Sequence, residues 1–497
     1  MQLDRAMMRI RSSAVLVIVS GTVFGLACEG SGASQRASQR TAEDVPAERT
    51  PPAATTAPAA SDGGPPDDGS TPVVPYQPFD VNHVLSTGQS NSVAHEGRPV
   101  LSTTQPFANL MFDVGVMTSG DCEREGCRTY QKPSSFVPLV EGDTFWYPVE
   151  TMSAGMANLG AKLAGDKQKP RHDMLVSLAG RNGLTYWCLR KGSCNFIDPT
   201  YLNAFDESMK QVDDAMAIAE AAGKSYVVRA VTAVHGESDD YAYATNTQEF
   251  PLDGTDGAYR SLSSYADALL EWQRDYESGV RARTGQTLPV PLLVSQHSGW
   301  NDIPTSAVAQ YQYDAHVRSK GKVVLVTAGY PLDWHYDCRH YSNHGERQLG
   351  EYFAKAYAQI VFAGLPWEPV HPREVTLSGS PTIIRAKFHV PKPPLVLDTD
   401  RVTNPGDYGF EVVDVAGMRL KIASVAITAP DTVTVTLASA PAGPVRLRYA
   451  YTGTPHTCPG RTQGARGNLR DSDDTPSLHG YELFNWAVHF EVPVAPL

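Results

Sequence analysis

The sequence is short of positive charge and of long apolar runs and lacks CxxC-spaced cysteines, and each shortage argues against a class. Its 497 residues carry 42 Lys and Arg against 54 Asp and Glu, a formal charge of −12, which argues against a polyanion-binding surface and against nucleic acid as a partner while leaving room for a local basic patch. Mean hydropathy is −0.28. One stretch, residues 14–27 (AVLVIVSGTVFGLA), is apolar enough to concern a membrane, so a polytopic membrane protein is excluded. No CxxC or HExxH spacing occurs, which argues against a zinc or thioredoxin-type site. What is present is a globular composition, 41% hydrophobic and 19% charged. At about 150 residues per domain it makes roughly three domain-sized units, large enough to bury a core without metals or disulfides.

The N-terminus reads as an address. Met7, Met8, Arg9, Ile10 and Arg11 form a basic start, the apolar run follows, and Cys28 comes next. The run is shorter than the roughly 20 residues of a membrane span, which marks residues 1–28 as a signal peptide. Gly25-Leu26-Ala27-Cys28 resembles a bacterial lipobox, with glycine where leucine is usual. Cys28 is therefore the expected lipidation site of an exported cell-envelope lipoprotein, on the outer membrane or cell surface; plain secretion is the alternative. Residues 29–76, rich in Ser, Ala, Pro, Thr, Gly and Asp, are expected to be a disordered linker with a reach of about 35–40 Å.

Without Cys28, six of the 7 cysteines remain, an even number that suits an exported chain. Proximity favours Cys122–Cys127 and Cys188–Cys194, which leaves Cys338–Cys458 to close the longest loop. Buried free thiols are the alternative.

The middle of the chain alternates two patterns. Apolar runs at 83–87, 174–179, 226–234, 291–295 and 322–327 each end in small or polar residues. Helical stretches at 153–163, 201–222, 259–283, 305–318 and 345–362 lie between them. Strands alternating with helices predict a flavodoxin-like parallel five-stranded sheet covered on both faces, with ligands at the C-terminal strand ends. Residues 96–148 fit neither pattern and are expected to form a long loop region over that edge. After Pro366 the helical period is lost. Runs at 382–390, 410–413, 420–427, 433–437, 445–451 and 486–492 predict an all-β sandwich. The expected units are an α/β domain at 77–366 and a β accessory at 367–497, which is either structural or lined by Tyr449, Tyr451, Tyr481 and Trp486 for glycan binding.

Chemistry-bearing residues gather at three predicted strand ends. Gly88-Gln89-Ser90-Asn91-Ser92 places a serine in a strand-to-helix turn, where it can be exposed beside backbone amides or simply cap a helix. Asp337-Cys338-Arg339-His340 offers a base and an orienting acid three residues apart. A metal set of His335, Asp337, His340 and His344 is the weaker reading, because it leaves the serine unexplained. His235-Gly236-Glu237-Ser238-Asp239 offers a donor to an oxyanion and a loop brace, or the start of a helix.

Taken in order, these blocks resemble the SGNH-type hydrolases, in particular the sialate O-acetylesterase and carbohydrate esterase family six group. The quoted blocks are Gly88-Gln89-Ser90-Asn91, Gly180-Arg181-Asn182-Gly183, His235-Gly236-Glu237-Ser238 and Asp337 to His340, over about residues 83–362. The resemblance implies a serine esterase that removes O-acetyl or other short acyl groups from a carbohydrate through an acyl-enzyme. Ser90 would be the nucleophile, His340 the base and Asp337 its orienter. The amides of Ser90 and Gly180, with His235, would form the oxyanion hole. Gln89, Asn91, Arg181, Asn182 and Glu237 would contact substrate, and neither metal nor cofactor would be needed. His235 stands where the group often has Gln, and Arg181 where it often has a second Gly, so Gly180 and Gly183 both remain candidates for the second amide. Esterase action on another lipid or polymer ester, and glycan binding without catalysis, are the competing functions.

Overall fold

The structure, a computed structural model, describes residues 74–119, 129–143, 147–192, 202–300 and 303–496. The signal peptide, Cys28 and most of the linker lie outside them, as do Cys122, Cys127 and Cys194. Gly69–Leu497 form one compact unit. Among the described residues no helix is long and apolar enough to cross a membrane.

Seven strands make the central sheet. They are β1 (Val81–Gly88), β2 (Leu110–Phe112), β3 (Phe136–Pro138), β4 (Met174–Leu178), β5 (Tyr226–Val234), β6 (Leu292–Gln296) and β7 (Val323–Ala328). Their order is β3-β2-β4-β1-β5-β6-β7, parallel throughout except where β3 runs antiparallel to β2. The five expected strands form the parallel centre, in the flavodoxin-like order 2-1-3-4-5 when counted among themselves. The sheet is nonetheless seven-stranded. The region 96–148 adds β2 and β3 at one edge, and three-residue strands paired at an edge carry too little periodicity to be read from sequence.

The main helices are α1 (Met152–Asp166), α2 (Ala204–Ala221), α3 (Glu237–Ala244), α4 (Tyr265–Thr284), α5 (Ala307–Ser319) and α6 (Asn343–Tyr357). Side chains alternate across a strand, so Val84, Leu293 and Val324 face Met156 of α1 and Leu349 of α6. Leu85, Leu292 and Val294 face the other way, toward Val212 of α2 and Leu269 of α4. Hence these strands read as unbroken apolar runs. Four helices start on side-chain caps: Thr151, Asn203, Ser306 and Ser342 each accept from a first-turn N–H, which satisfies a donor that the helix cannot.

The C-terminal part is two antiparallel sheets. β8 (His371–Leu377), β9 (Ile383–His389), β10 (Phe410–Asp414), β11 (Ile422–Ala429), β12 (Thr432–Leu437), β13 (Val445–Tyr449) and β14 (Phe490–Pro493) are its main strands. One sheet runs β8-β9-β12-β11, and the other joins Arg419–Leu420, β10, β13 and β14. Val433, Val435 and Leu437 on one sheet and Val445, Leu447 and Tyr449 on the other share a core with Trp486. Tyr449 and Trp486 are therefore core rather than glycan platforms.

This region is built into the α/β part. Tyr313, Leu325, Ala328 and Tyr330 belong to the same core as the sheets. Lys355 of α6 is buried against Asp473 at 2.9 Å and donates to Asn485 Oδ1 (2.7 Å) and to Leu483 O. At the other end of the chain, ordered packing begins slightly before residue 77. Val74 N–H donates to Gly364 O (3.1 Å), and Tyr76 packs edge-on to Phe362.

Removing one partner of a buried ion pair strands the other. Lys355→Ala is expected to lower unfolding free energy by about 3–5 kcal/mol, with part recovered by adding Asp473→Asn, as measured by chemical denaturation.

Candidate active site

Five segments meet at the C-terminal edge of the parallel strands around a cavity of about 590 Å³. Ser90 follows β1, Asn182 and Gly183 follow β4, Glu237 to Asp240 follow β5, and His297 with Trp300 follow β6. Arg339 and His340 come from the loop after β7, and all of these line the cavity.

No helix follows the serine. Residues 90–96 turn on themselves, with Ser92 and Val93 N–H donating to Gln89 O (2.8 and 3.2 Å) and His95 N–H to Ser90 O (3.0 Å). Among the described residues the N–H groups of Ser90 and Gly180 carry no hydrogen bond. Gly180 is pressed on this turn: a Cβ there would lie 2.2 Å from Ser92 Oγ and 2.7 Å from Val93 Cγ1. A side chain at 180 would push the turn away.

The His340 loop is tight. Trp334 and Tyr341 form a bridge, His335 N–H donates to His340 O (2.8 Å), and Cys338 sits at φ 63°, a strained region for a residue with a Cβ. That bend brings Asp337 Oδ2 to 2.5 Å from His340 Nδ1. Asp337 Oδ1 accepts from the amides of Arg339 (3.0 Å) and His340 (3.1 Å). Burial opposes ionisation of Asp337, but the His340 hydrogen bond and these amides outweigh it and hold its carboxyl well below the usual carboxylate range. With Nδ1–H directed at Asp337, Nε2 of His340 has no hydrogen-bond partner among the described residues. The ring is stacked on His95 at 4.7 Å between centroids and 27° between planes. His95 also lines the cavity.

The loop is pinned from the C-terminal sheets. Cys338 is bridged to Cys458, with Cα atoms 4.6 Å apart, and Arg461 Nε donates to Pro331 O (2.6 Å). Cys188 is disulfide-bonded as well.

The remaining sequence-predicted residues divide. Gln89 lines the cavity, and its Oε1 accepts from Ser238 N–H (3.0 Å), an otherwise unmatched donor at the start of α3. Asn182 and Glu237 line it too. Asn91 is fully buried and belongs to the frame. Its Nδ2 donates to Glu237 Oε1 (2.7 Å) and Arg339 O (3.3 Å), and its Oδ1 accepts from Tyr341 N–H (3.0 Å).

Three expectations are corrected. Arg181 does not face substrate: it is buried, ion-paired with Glu207 and bonded to Gly180 O (2.7 Å) and Leu202 O (3.1 Å). An internal carboxylate captured the guanidinium. His235 does not point at the cavity. Its Nδ1 meets Tyr265 Oη (2.6 Å) and its Nε2 meets Leu184 O (3.1 Å), so both ring nitrogens are spent, and burial pushes its pKa down to about 4. The metal set does not assemble, because His344 turns to Tyr481 Oη (2.9 Å). A different group, Glu96, His335 and Asp337, lies close together, but Arg98 holds Glu96 at 3.0 Å and His340 holds Asp337.

The Cys338–Cys458 bridge closes a loop spanning 120 positions. In the chain-entropy picture such a loop is worth about 5 kcal/mol. The Cys338→Ala/Cys458→Ala variant is expected to lose stability of that order in a denaturant titration, with Cys188 left oxidised.

No family model matches the chain, and no curated protein matches it. Solved structures do. A carbohydrate acetylesterase from Xanthomonas citri matches at 13% identity over 83% of this chain and 80% of its own, with a TM-score of 0.47. A protein from Arabidopsis thaliana matches at 12% identity over 56% and 98%, with a TM-score of 0.34. A carbohydrate acetylesterase from Sinorhizobium meliloti matches at 12% over 56% and 99%, with a TM-score of 0.28. All three scores fall below 0.5, so these likenesses assign no reaction to the chain.

Proposed function

We propose that this chain is a serine ester hydrolase that removes O-acetyl or other short acyl groups from a carbohydrate. The observation that carries the reading is the Asp337–His340 pair at 2.5 Å, with Nε2 left unpartnered on the cavity that Ser90 lines. A hydroxyl, a base oriented by a half-buried carboxylate, and two unpaired amides at one sheet edge are the parts that acyl transfer needs. The order of the GQSN, HGES and DxxH blocks directs the reading toward carbohydrate esters.

The derived course is as follows. Ser90 Oγ attacks the acyl carbonyl carbon while His340 Nε2 takes its proton. The carbonyl oxygen, now negative, lies toward the N–H groups of Ser90 and Gly180. The tetrahedral species collapses, the sugar oxygen leaves with the proton from His340, and a water activated by the same imidazole releases the acid. Asp337 keeps the ring in the tautomer that exposes Nε2 and stabilises the imidazolium. Two further proposals concern location: Cys28 anchors the chain to the cell envelope after export, and the disulfide chemistry at Cys188 and Cys338 suits an oxidising compartment.

Hydrolysis of p-nitrophenyl acetate and of a peracetylated sugar by the oxidised chain is expected, and Ser90→Ala is expected to lower kcat by about 10⁴-fold or more. Activity retained in Ser90→Ala would mean a different nucleophile. Asp337→Asn is expected to lower kcat by about 10⁴-fold with the fold intact, read from the same assay beside a denaturation midpoint.

A further inference from the structure

His297 follows β6 at the fourth strand end, and no part of the acyl-transfer course above uses it. Its side chain is buried on the inner wall of the cavity. The ring lies between two carboxylates, with Nδ1 3.8 Å from Glu237 Oε1 and Nε2 3.5 Å from Asp240 Oδ2. The fold is shaped to allow this. Gly236 sits at φ 144°, where a Cβ would come 3.2 Å from His297 Cβ and 2.9 Å from Val308 Cγ1. Only glycine lets α3 begin this close to the ring. From the other side, His297 N–H donates to Gln312 Oε1 (2.7 Å), and Gln312 Nε2 donates to His235 O (2.9 Å).

Glu237 is the carboxylate that accepts from Asn91, and Asn91 is the amide that joins the serine turn to the His340 loop. An uncompensated buried carboxylate takes up a proton and loses acceptor strength. We propose that His297, set between Glu237 and Asp240, is a positioning residue whose positive charge keeps Glu237 ionised and so keeps Asn91 clamped between the Ser90 turn and the His340 loop. This rests on the esterase reading above only for its kinetic consequence; the clamp itself does not.

The surrounding groups agree with that charge. Burial opposes it, but attraction from the Asp240 and Glu237 carboxylates prevails and pushes the His297 pKa up to about 9. The other titratable groups that act on the ring are His235 and His489. Burial pushes their pKa values down to about 4 and about 3, so neither supplies the charge at neutral pH. Burial likewise pushes Asp239 up to about 8, which leaves it largely protonated at pH 7. Glu237, against the cost of burial, is pulled down to about 2 by His297 and Asn91. The sign follows: a histidine whose folded pKa exceeds 6.5 stabilises the fold below that pH, and this contribution fades as pH rises through about 9.

The test has an arm that needs no activity. In Ser90→Ala protein, NMR titration of the His297 ring, assigned by its loss in His297→Gln, is expected to show a midpoint well above the ordinary 6.5. The Asn91 side-chain amide signal is expected to move in both His297→Gln and Glu237→Gln. In the active chain, His297→Gln is expected to lower kcat by about 10- to 100-fold with KM nearly unchanged, and His297→Gln/Glu237→Gln to be no worse than the poorer single variant. A midpoint near 6.5, an unmoved Asn91 signal, or losses that multiply in the double variant would each overturn the proposal. Loss of esterase activity from every form of the chain, with the NMR results as expected, would count against the esterase reading alone.

Discussion

Asn91 carries one side-chain amide, and its hydrogen-bonding capacity is spent on the ends of other strands. Its two N–H bonds reach Glu237 and the carbonyl of Arg339, and its oxygen holds the amide of Tyr341. The residue is fully buried, so no water can substitute for a lost partner, and a buried donor or acceptor left unmatched costs about 1–3 kcal/mol. Three loops that follow β1, β5 and β7 are thereby held in register around one amide. The serine and the histidine that share the cavity come from two of those loops. Their relative placement depends less on either side chain than on the residue that immediately follows the serine.

The C-terminal sheets complete that arrangement. Gln296, the last residue of β6, exchanges hydrogen bonds with the backbone of His489 (2.9 and 2.8 Å). Ser298 Oγ meets His489 Nε2 at 2.6 Å, and Trp300 stands edge-on to the same ring at 4.8 Å. The segment carrying His297 is thus sandwiched between α3 and the residue that leads into β14, almost 200 positions later. The Cys338–Cys458 bridge does the same for the His340 loop from the other side. A region that could have been an appended module braces one wall of the cavity from behind.

Much of this was legible in the sequence because buried parallel strands leave unbroken apolar runs, and five such runs appear where β1, β4, β5, β6 and β7 lie. The serine turn, Asp337 and His340 were legible because each sits in a compact block at the end of a run. Other features were not, for physical reasons. β2 and β3 are too short to show alternation. β8 shows no strand pattern in its first half, which carries His371, Pro372, Arg373 and Glu374. Arg181 looked like a substrate contact because its carboxylate, Glu207, lies 26 positions away on a helix. His95 and His297 carry no motif at all. The one available hint for His297 was its place at the C-terminal end of the fourth run, within a few residues of a strand end as Ser90 and Glu237 are.

The contact between Gln296 and His489 spans 193 positions, and it sets an order in time as well as in space. Non-local pairings of this kind wait on chain that is not yet present. During vectorial synthesis the α/β strands and their covering helices are all available before residue 370 emerges. The wall that carries His297 is not, and it gains its support only when nearly the last ten residues are in place. Until then the sheet can form while the cavity stays unfinished, and a product of carboxy-terminal clipping before residue 489 carries the serine, the histidine and the aspartate without the contact that supports the His297 segment.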